Sequence, residues 1–198
     1  MKKIVPSNAI LIPENAIRAF QGQIFDIYQW PQTMFDGTTA TFELLKRPDT
    51  VQVILVKGDQ ILLVNDEQPG RTTRTHFPGG RTDDDDVSWQ AAAIRELKEE
   101  TGITADNWRL IDVVQPIPKI EWFAPWFLVT DVTEEGAQLV DIAGEKISLE
   151  WKGFQEIRDM VLSGTEPTLQ YAAGIFLRSK TLDELLALPK FEGKEVNR

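Results

Sequence analysis

The chain has 198 residues, carries 31 acidic against 21 basic side chains, and contains no cysteine. Its net charge of -10 argues against nucleic-acid and anionic-membrane partners, because both are bound by surplus Lys and Arg. The missing cysteines exclude disulfides, thiolate metal sites and cysteine nucleophiles. With no membrane-length apolar run and no apolar signal segment after Lys3, we expect a cytoplasmic globular protein.

Strand signals dominate the first 80 residues. Residues 23–30 and 38–45 flank the turn pair Asp36-Gly37, and residues 51–57 and 60–65 flank Gly58-Asp59. Both pairs of runs favour hairpins. Residues 1–47 are therefore interpreted as a strand extension in front of the rest of the domain.

Helical periodicity first appears over residues 88–101, after Asp and Ser N-cap candidates and before Gly102. Ala93, Ile94, Leu97 and Thr101 share one side of this helix and are predicted to face a core. The later elements are predicted strands at 108–114, 125–132 and 146–151, helices at about 154–162 and 167–177, a capping box at 181–184 and a frayed tail at 191–198. The whole, residues 1–198, is predicted to be one α/β domain.

Three glutamates of the predicted helix, Glu96, Glu99 and Glu100, fall within an arc of about 100°. Carboxylates at this spacing repel one another unless they bind protons or a cation. An oxygen-only cluster suits Mg²⁺ or Mn²⁺, and the nearby pair Gly79-Gly80 would let a backbone carbonyl approach the same ion. On these residues alone, a solvated charged face is the other interpretation.

The order of the motifs favours the metal interpretation. Gly-Gly, a loop and the segment Arg-Glu-Leu-Lys-Glu-Glu-Thr-Gly-Ile that starts at Arg95 resemble the Nudix box, G-x5-E-x7-R-E-U-x-E-E-x-G-U with U apolar. The second half matches at every fixed position. In the first half, the acidic slot falls on Asp86 when counted from Gly80 and on Val87 when counted back from Arg95. The loop is one residue longer than the pattern, and the role of its run from Asp83 to Asp86 stays open.

The resemblance to the Nudix family implies a mixed sheet between helices and a metal-dependent hydrolysis of nucleoside diphosphate derivatives. Carried onto this sequence, Glu96 and Glu100 would be the principal ligands of Mg²⁺ or Mn²⁺. Glu99 would be a further ligand or a base, and Gly79 would contribute its carbonyl oxygen. Arg95 would orient the glutamates through charge-assisted hydrogen bonds.

Segments outside the box resemble the ADP-ribose pyrophosphatase group. They are residues 20–25, 36–37, 51–55, 67–69, 116–118 and 127–131. In that group strands in front of the core help to form a dimer, so the resemblance implies a homodimer. The group also has a mobile-loop glutamate, which makes Glu145 the candidate general base, with Glu150 and then Asp141 as alternatives.

The same resemblance suggests substrate contacts for Arg71, Arg74, Pro118 and Trp122. Arginines can bind phosphate, and a tryptophan ring can stack on adenine. The alternative interpretations are structural. The arginines would be solvated loop residues, the proline would mark a turn, and the tryptophan would pack in a core or an interface. His76, the only histidine, stands where the group often has an acidic residue, and a structural role is its alternative.

The sequence therefore predicts a metal-dependent pyrophosphohydrolase of a small nucleoside diphosphate derivative. ADP-ribose, cleaved to AMP and ribose 5-phosphate, is the leading substrate. The enzymatic alternative is another nucleotide sugar or a nucleoside triphosphate. The alternative of a different class is a non-catalytic nucleotide-binding Nudix module, against which the three intact glutamates argue.

Overall fold

The computed structural model describes residues 1–67, 70, 72–136 and 146–197. The strands are β1 (Lys2–Val5), β2 (Ile17–Gln21), β3 (Asp26–Thr33), β4 (Thr39–Lys46), β5 (Thr50–Lys57), β6 (Gln60–Glu67), β7 (Arg74–His76), β8 (Gly79–Arg81), β9 (Ile103–Val114), β10 (Ile120–Glu121), β11 (Ala124–Glu135), β12 (Lys146–Gly153) and β13 (Lys194–Asn197). The helices are α1 (Trp89–Thr101), α2 (Phe154–Ser163), α3 (Ala173–Arg178) and α4 (Leu182–Leu186), with a 3-10 helix at Pro167–Ala172.

The central sheet is mixed, with strand order β12-β6-β5-β11-β9, and the short strands β7 and β8 pair with β6 and β5. β5 and β11 are parallel, whereas the other neighbours along this order are antiparallel. β5 is buried along nearly its whole length because helices cover both faces of the sheet.

Two buried clusters occupy the two faces. One joins Phe77 and Trp126 of the central region to Phe176 of α3 and its neighbouring helices. The other joins Val53 of β5 to Leu97 of α1. The predicted α/β fold, a mixed sheet between helices, is confirmed.

The ends of α1 follow the predicted signals. The Ser88 side chain accepts a hydrogen bond from the Ala91 N–H, and Gly102 ends the helix with a φ of 69°. Glycine adopts this left-handed backbone conformation more easily than any residue with a side chain. The predicted burial of Ile94 is wrong, since its exposed fraction is 42%. The predicted burial of Ala93, Leu97 and Thr101 is confirmed, and Trp89 and Ala92 are buried beside them, which leaves Ile94 at the edge of the buried stripe.

The N-terminal extension contains an antiparallel sheet of β2, β3 and β4, to which β10 adds in parallel. β1 lies outside this sheet and pairs with β13. Val5 of β1 is fully buried in the cluster that contains α1. The predicted frayed tail is wrong for residues 194–197, because the backbone of β1 supplies the hydrogen-bond partners that a solvated tail lacks.

The predicted helix at 167–177 is divided into the 3-10 helix and α3. At α4 the Thr181 hydroxyl caps the Glu184 N–H as predicted, while the Glu184 carboxylate accepts from the Lys180 N–H. Within the described ranges, no helix combines the length and the apolarity needed to cross a membrane.

Candidate active site

Two glycines bring β8 against α1. Gly79 has a φ of 150°, and a Cβ there would collide with the Val51 carbonyl of β5. A Cβ on Gly80 would collide with the carboxyl group of Glu96. Because neither residue carries a Cβ, the Gly79 N–H can donate a hydrogen bond of 2.9 Å to Oε2 of Glu100.

The positions of the glutamates follow from the turn of α1. An advance of about 100° per residue places Glu96 and Glu100 inside the arc of the buried residues Trp89, Ala92 and Ala93. Burial raises the pKa of Glu96, whose side chain is 14% exposed. Glu99 lies further toward solvent, with 44% of its side chain exposed.

Arg95 is the hub of the acidic network. Its Nη1 donates to Glu96 at 2.8 Å and to Glu99 at 3.0 Å. Its Nε and Nη2 donate to the two carboxylate oxygens of Asp86 at 3.3 Å and 2.9 Å. These bonds raise the pKa of Arg95 and lower that of Asp86.

The lengthened loop therefore presents Asp86 to the guanidinium, while the neighbouring Val87 is 83% exposed. Arg95 also bonds the Arg81 carbonyl oxygen, and Asp83 lies 3.5 Å from its Nη2. The sequence left Asp86 and Val87 open as the first acidic position of the box. The structure places Asp86 in contact with Arg95.

The chemistry of the donor set fits a hard divalent cation. Carboxylate oxygens of Glu96 and Glu100 lie beside a glycine backbone, and Glu99 shares Arg95 with Glu96. Carboxylate and carbonyl oxygens are the ligands that Mg²⁺ and Mn²⁺ prefer. The part of the chain that the structure describes has no group of three such side chains placed around one point. Arg95 holds Glu96 and Glu99, and Gly79 contacts Glu100 through its N–H.

A cavity of about 380 Å³ opens beside Glu100 and Gly79. Its lining also includes Arg47 just after β4, Trp122 between β10 and β11, and Tyr171 of the 3-10 helix. This size is within the range of small-molecule sites. The cavity thus joins the box segment to residues far away in sequence.

Arg47 and the aromatic rings pack together in this lining. The Arg47 guanidinium carbon lies 4.6 Å from the Trp122 ring centroid and 5.6 Å from that of Phe25. Tyr171 meets Trp122 edge to face at 6.0 Å. Burial lowers the pKa of Arg47, whose buried Nε has no hydrogen-bond partner within the described ranges.

A protein-family model, that of the NUDIX domain, matches residues 46–171. The chain belongs to the Nudix family. It is a hydrolase that acts on phosphoric anhydrides. The comparison with curated proteins gave no match.

Solved structures of hydrolases resemble the chain at low sequence identity. An ADP compounds hydrolase is 18% identical with a TM-score of 0.59, covering 81% of this chain and 93% of its own. A MutT NUDIX hydrolase from Burkholderia pseudomallei is 23% identical with a TM-score of 0.46, covering 55% of this chain and 84% of its own. At such identity, the first of these likenesses shows the fold.

The substrate residues predicted from sequence are distributed unevenly. Trp122 and Arg74 line the cavity, and Arg74 is paired with Asp66 at 2.6 Å. Pro118 lies on an exposed turn and is not among the lining residues. Arg71 lies outside the described residues.

Of the candidate bases, Glu145 and Asp141 lie outside the described residues. Glu150 is held by Lys152 at 2.8 Å and by the Asn65 amide at 3.2 Å. These bonds lower the pKa of Glu150, and its side chain does not line the cavity.

Sequence reasoning missed Arg47, Thr168 and Tyr171 as cavity residues. Arg47 offered a faint signal, as a cation just before a buried strand. Thr168 and Tyr171 offered none, because only the packing of the 3-10 helix against β7 brings them to the cavity.

Proposed function

We propose that this Nudix hydrolase cleaves the pyrophosphate of a nucleoside diphosphate derivative, with ADP-ribose giving AMP and ribose 5-phosphate. The single observation that carries the proposal is the cavity, which brings Glu100 and Gly79 of the box together with Arg47, Arg74 and Trp122. Carboxylates, cations and an aromatic ring match the metal, phosphate and base of such a substrate.

The proposed cofactor is Mg²⁺ or Mn²⁺, held by Glu96, Glu99, Glu100 and the Gly79 carbonyl oxygen. When bound, a divalent cation neutralises phosphate charge and activates water. Arg95 supports this set by holding Glu96 and Glu99 in fixed orientations. Glu99 is also a candidate base.

We propose that Trp122 stacks on the nucleobase and that Arg47 and Arg74 contact phosphate oxygens. Arg74 is already fixed by Asp66, whereas no ion pair to Arg47 is found among the described residues. Arg47 therefore has hydrogen-bond donors to offer to an anion. Contacts from Arg71 and Pro118 stay predictions of the family resemblance.

Glu145 is the proposed general base, by family resemblance. Glu150, its main alternative, is engaged by Lys152 and Asn65. A base must reach the attacking water, and Glu150 has no place in the cavity lining.

A homodimer is proposed from the surface of the N-terminal sheet. Ile17, Phe20 and Phe35 expose 69%, 57% and 112% of their residue surface. Exposed apolar groups on an edge strand such as β2 favour association with another chain. Size-exclusion chromatography with light scattering should give twice the mass of one chain. A monomer mass at every protein concentration would contradict the dimer.

The proposed function is tested by a hydrolysis panel in Mg²⁺ and in Mn²⁺, with EDTA as the metal-free control. The panel holds ADP-ribose, other nucleotide sugars, dinucleoside polyphosphates and nucleoside triphosphates. We expect the highest kcat/KM for ADP-ribose, with AMP and ribose 5-phosphate as products. Faster hydrolysis of another sugar or of a triphosphate would support the enzymatic alternative. Tight nucleotide binding without turnover would support the non-catalytic module.

A further inference from the structure

His76 lies in the cavity lining beside a residue already given a role. On β7, Arg74 and His76 pair with Asp66 and Val64 of β6. Side chains alternate along a strand, so these two residues share one side. Both line the 380 Å³ cavity, whereas the Thr75 hydroxyl bonds to the Asn65 side chain.

The hydrogen bond of the His76 ring fixes its tautomer. Nδ1 lies 2.8 Å from the carbonyl oxygen of Phe77. A carbonyl oxygen only accepts, so Nδ1 carries the proton and Nε2 of the neutral ring has a lone pair. Burial lowers the pKa of His76, which keeps the ring neutral at pH 7. Nε2 makes no hydrogen bond with the described part of the chain.

A neutral acceptor has a specific partner chemistry. Ionised phosphate oxygens are acceptors and cannot bond to the lone pair of Nε2. A sugar hydroxyl can donate to it. The neighbouring Arg74 and Arg47 supply the donors for phosphate, so His76 adds a function that the cations lack.

We propose that Nε2 of His76 accepts a hydrogen bond from a ring hydroxyl of the substrate sugar and so makes His76 a specificity-determining residue. The inference rests on the proposed function. The hydroxyl belongs either to the nucleoside ribose or to the sugar beyond the pyrophosphate. Both sources share the chemistry, and the experiment separates them.

The test combines substrate and protein changes. ADP-ribose and analogues lacking each ring hydroxyl of either ribose in turn are assayed with the wild type and with His76→Phe, His76→Asn and His76→Gln. In the wild type, one analogue should lose about tenfold in kcat/KM, the value of one ordinary hydrogen bond. The kcat/KM of His76→Phe for ADP-ribose should be about tenfold lower than that of the wild type. This variant should hydrolyse ADP-ribose and that analogue with the same kcat/KM.

The Asn and Gln variants are the matched pair. The shorter amide of His76→Asn can keep the N–H bond to the Phe77 carbonyl but has no acceptor at the position of Nε2. The longer amide of His76→Gln reaches nearer to that position and should restore part of the discrimination. Thermal unfolding of each variant verifies that the fold is kept, and the Asn/Gln pair keeps the test decisive if His76→Phe does not fold.

The outcomes separate the two proposals. For each deoxy analogue, the ratio of kcat/KM for ADP-ribose to kcat/KM for the analogue is compared between the wild type and His76→Asn. If these ratios are the same in both active enzymes for every analogue, the proposed role of His76 is overturned. A wild type that hydrolyses no member of the substrate panel would instead contradict the proposed function.

Discussion

Two groups of residues meet at the cavity, one of them through Glu100 alone, and they differ in origin and in charge balance. The carboxylates Glu96, Glu99 and Glu100 come from one helix, and the first two are bound by Arg95. Arg47 and Trp122 come from separate segments, and the Arg47 guanidinium packs on aromatic rings. Under the proposed function, the carboxylate group holds the metal ion for the chemical step, whereas the cationic–aromatic group binds the substrate. Mutations in the first should lower kcat, and mutations in the second should raise KM.

The largest effect is expected for Glu100→Gln. It removes a charged ligand of the proposed cation while it keeps an acceptor for the Gly79 N–H, so the fold should survive. Loss of several kcal/mol of transition-state stabilisation corresponds to about a thousandfold decrease in Mg²⁺-dependent kcat. Lys98→Gln, on an exposed neighbour in the same helix, is the control. Unchanged turnover in Glu100→Gln would remove the metal role from this residue.

Glu145→Gln should lower kcat by about a hundredfold or more with little change in KM, because a general base acts on the water and contributes little to binding. Its control is Glu150→Gln, which removes the charge that pairs with Lys152 and should leave kcat within about threefold, as surface changes do. Initial rates over a range of substrate concentrations give kcat and KM for both variants. A larger decrease in kcat for Glu150→Gln than for Glu145→Gln would identify Glu150 as the general base.

Trp122→Ala tests the cationic–aromatic group. Base stacking is worth about 1–3 kcal/mol, so KM should rise by roughly tenfold to a hundredfold while kcat changes little. Trp122→Phe keeps a ring and should recover most of the loss. If Trp122→Ala lowers kcat and leaves KM unchanged, the division of labour between the two groups is wrong.

Asp86→Asn tests how Arg95 is held. The bond to Asp86 is charge-assisted and little exposed, so its loss should lower the free energy of unfolding by about 1–2 kcal/mol at pH 7. The folded-state pKa of Asp86 lies below its ordinary value of 3.8. Its stabilisation is therefore present above about pH 4 and is lost as the pH falls through the folded-state pKa.

Urea unfolding of the wild type and Asp86→Asn at pH 7 and pH 3 measures this difference. The gap between the two proteins should shrink at the lower pH. Asp85→Asn, on the exposed neighbour in the same loop, should change stability by less than about 0.5 kcal/mol. An equal gap at both pH values would show that the Asp86 charge does not support Arg95.

The accuracy of the sequence-based predictions depends on how local the signals are. The caps of α1 and the hairpin turn at Gly58 follow from neighbouring residues and are confirmed. Ile94 was misplaced because helical spacing gives the angle between residues but not the direction in which the helix meets the sheet. The pairing of β1 with β13 was missed because its partners are separated by nearly the whole chain.

The sequence alone determined the family and the carboxylate group, because the spacing of Glu96, Glu99 and Glu100 is a property of one helix. Only the tertiary structure decided that Asp86 contacts Arg95, that Gly79 contacts Glu100 through its N–H, and that Arg47 and Tyr171 share a cavity. Such contacts are set by how a sheet and its helices pack, and packing depends on all the buried surfaces together.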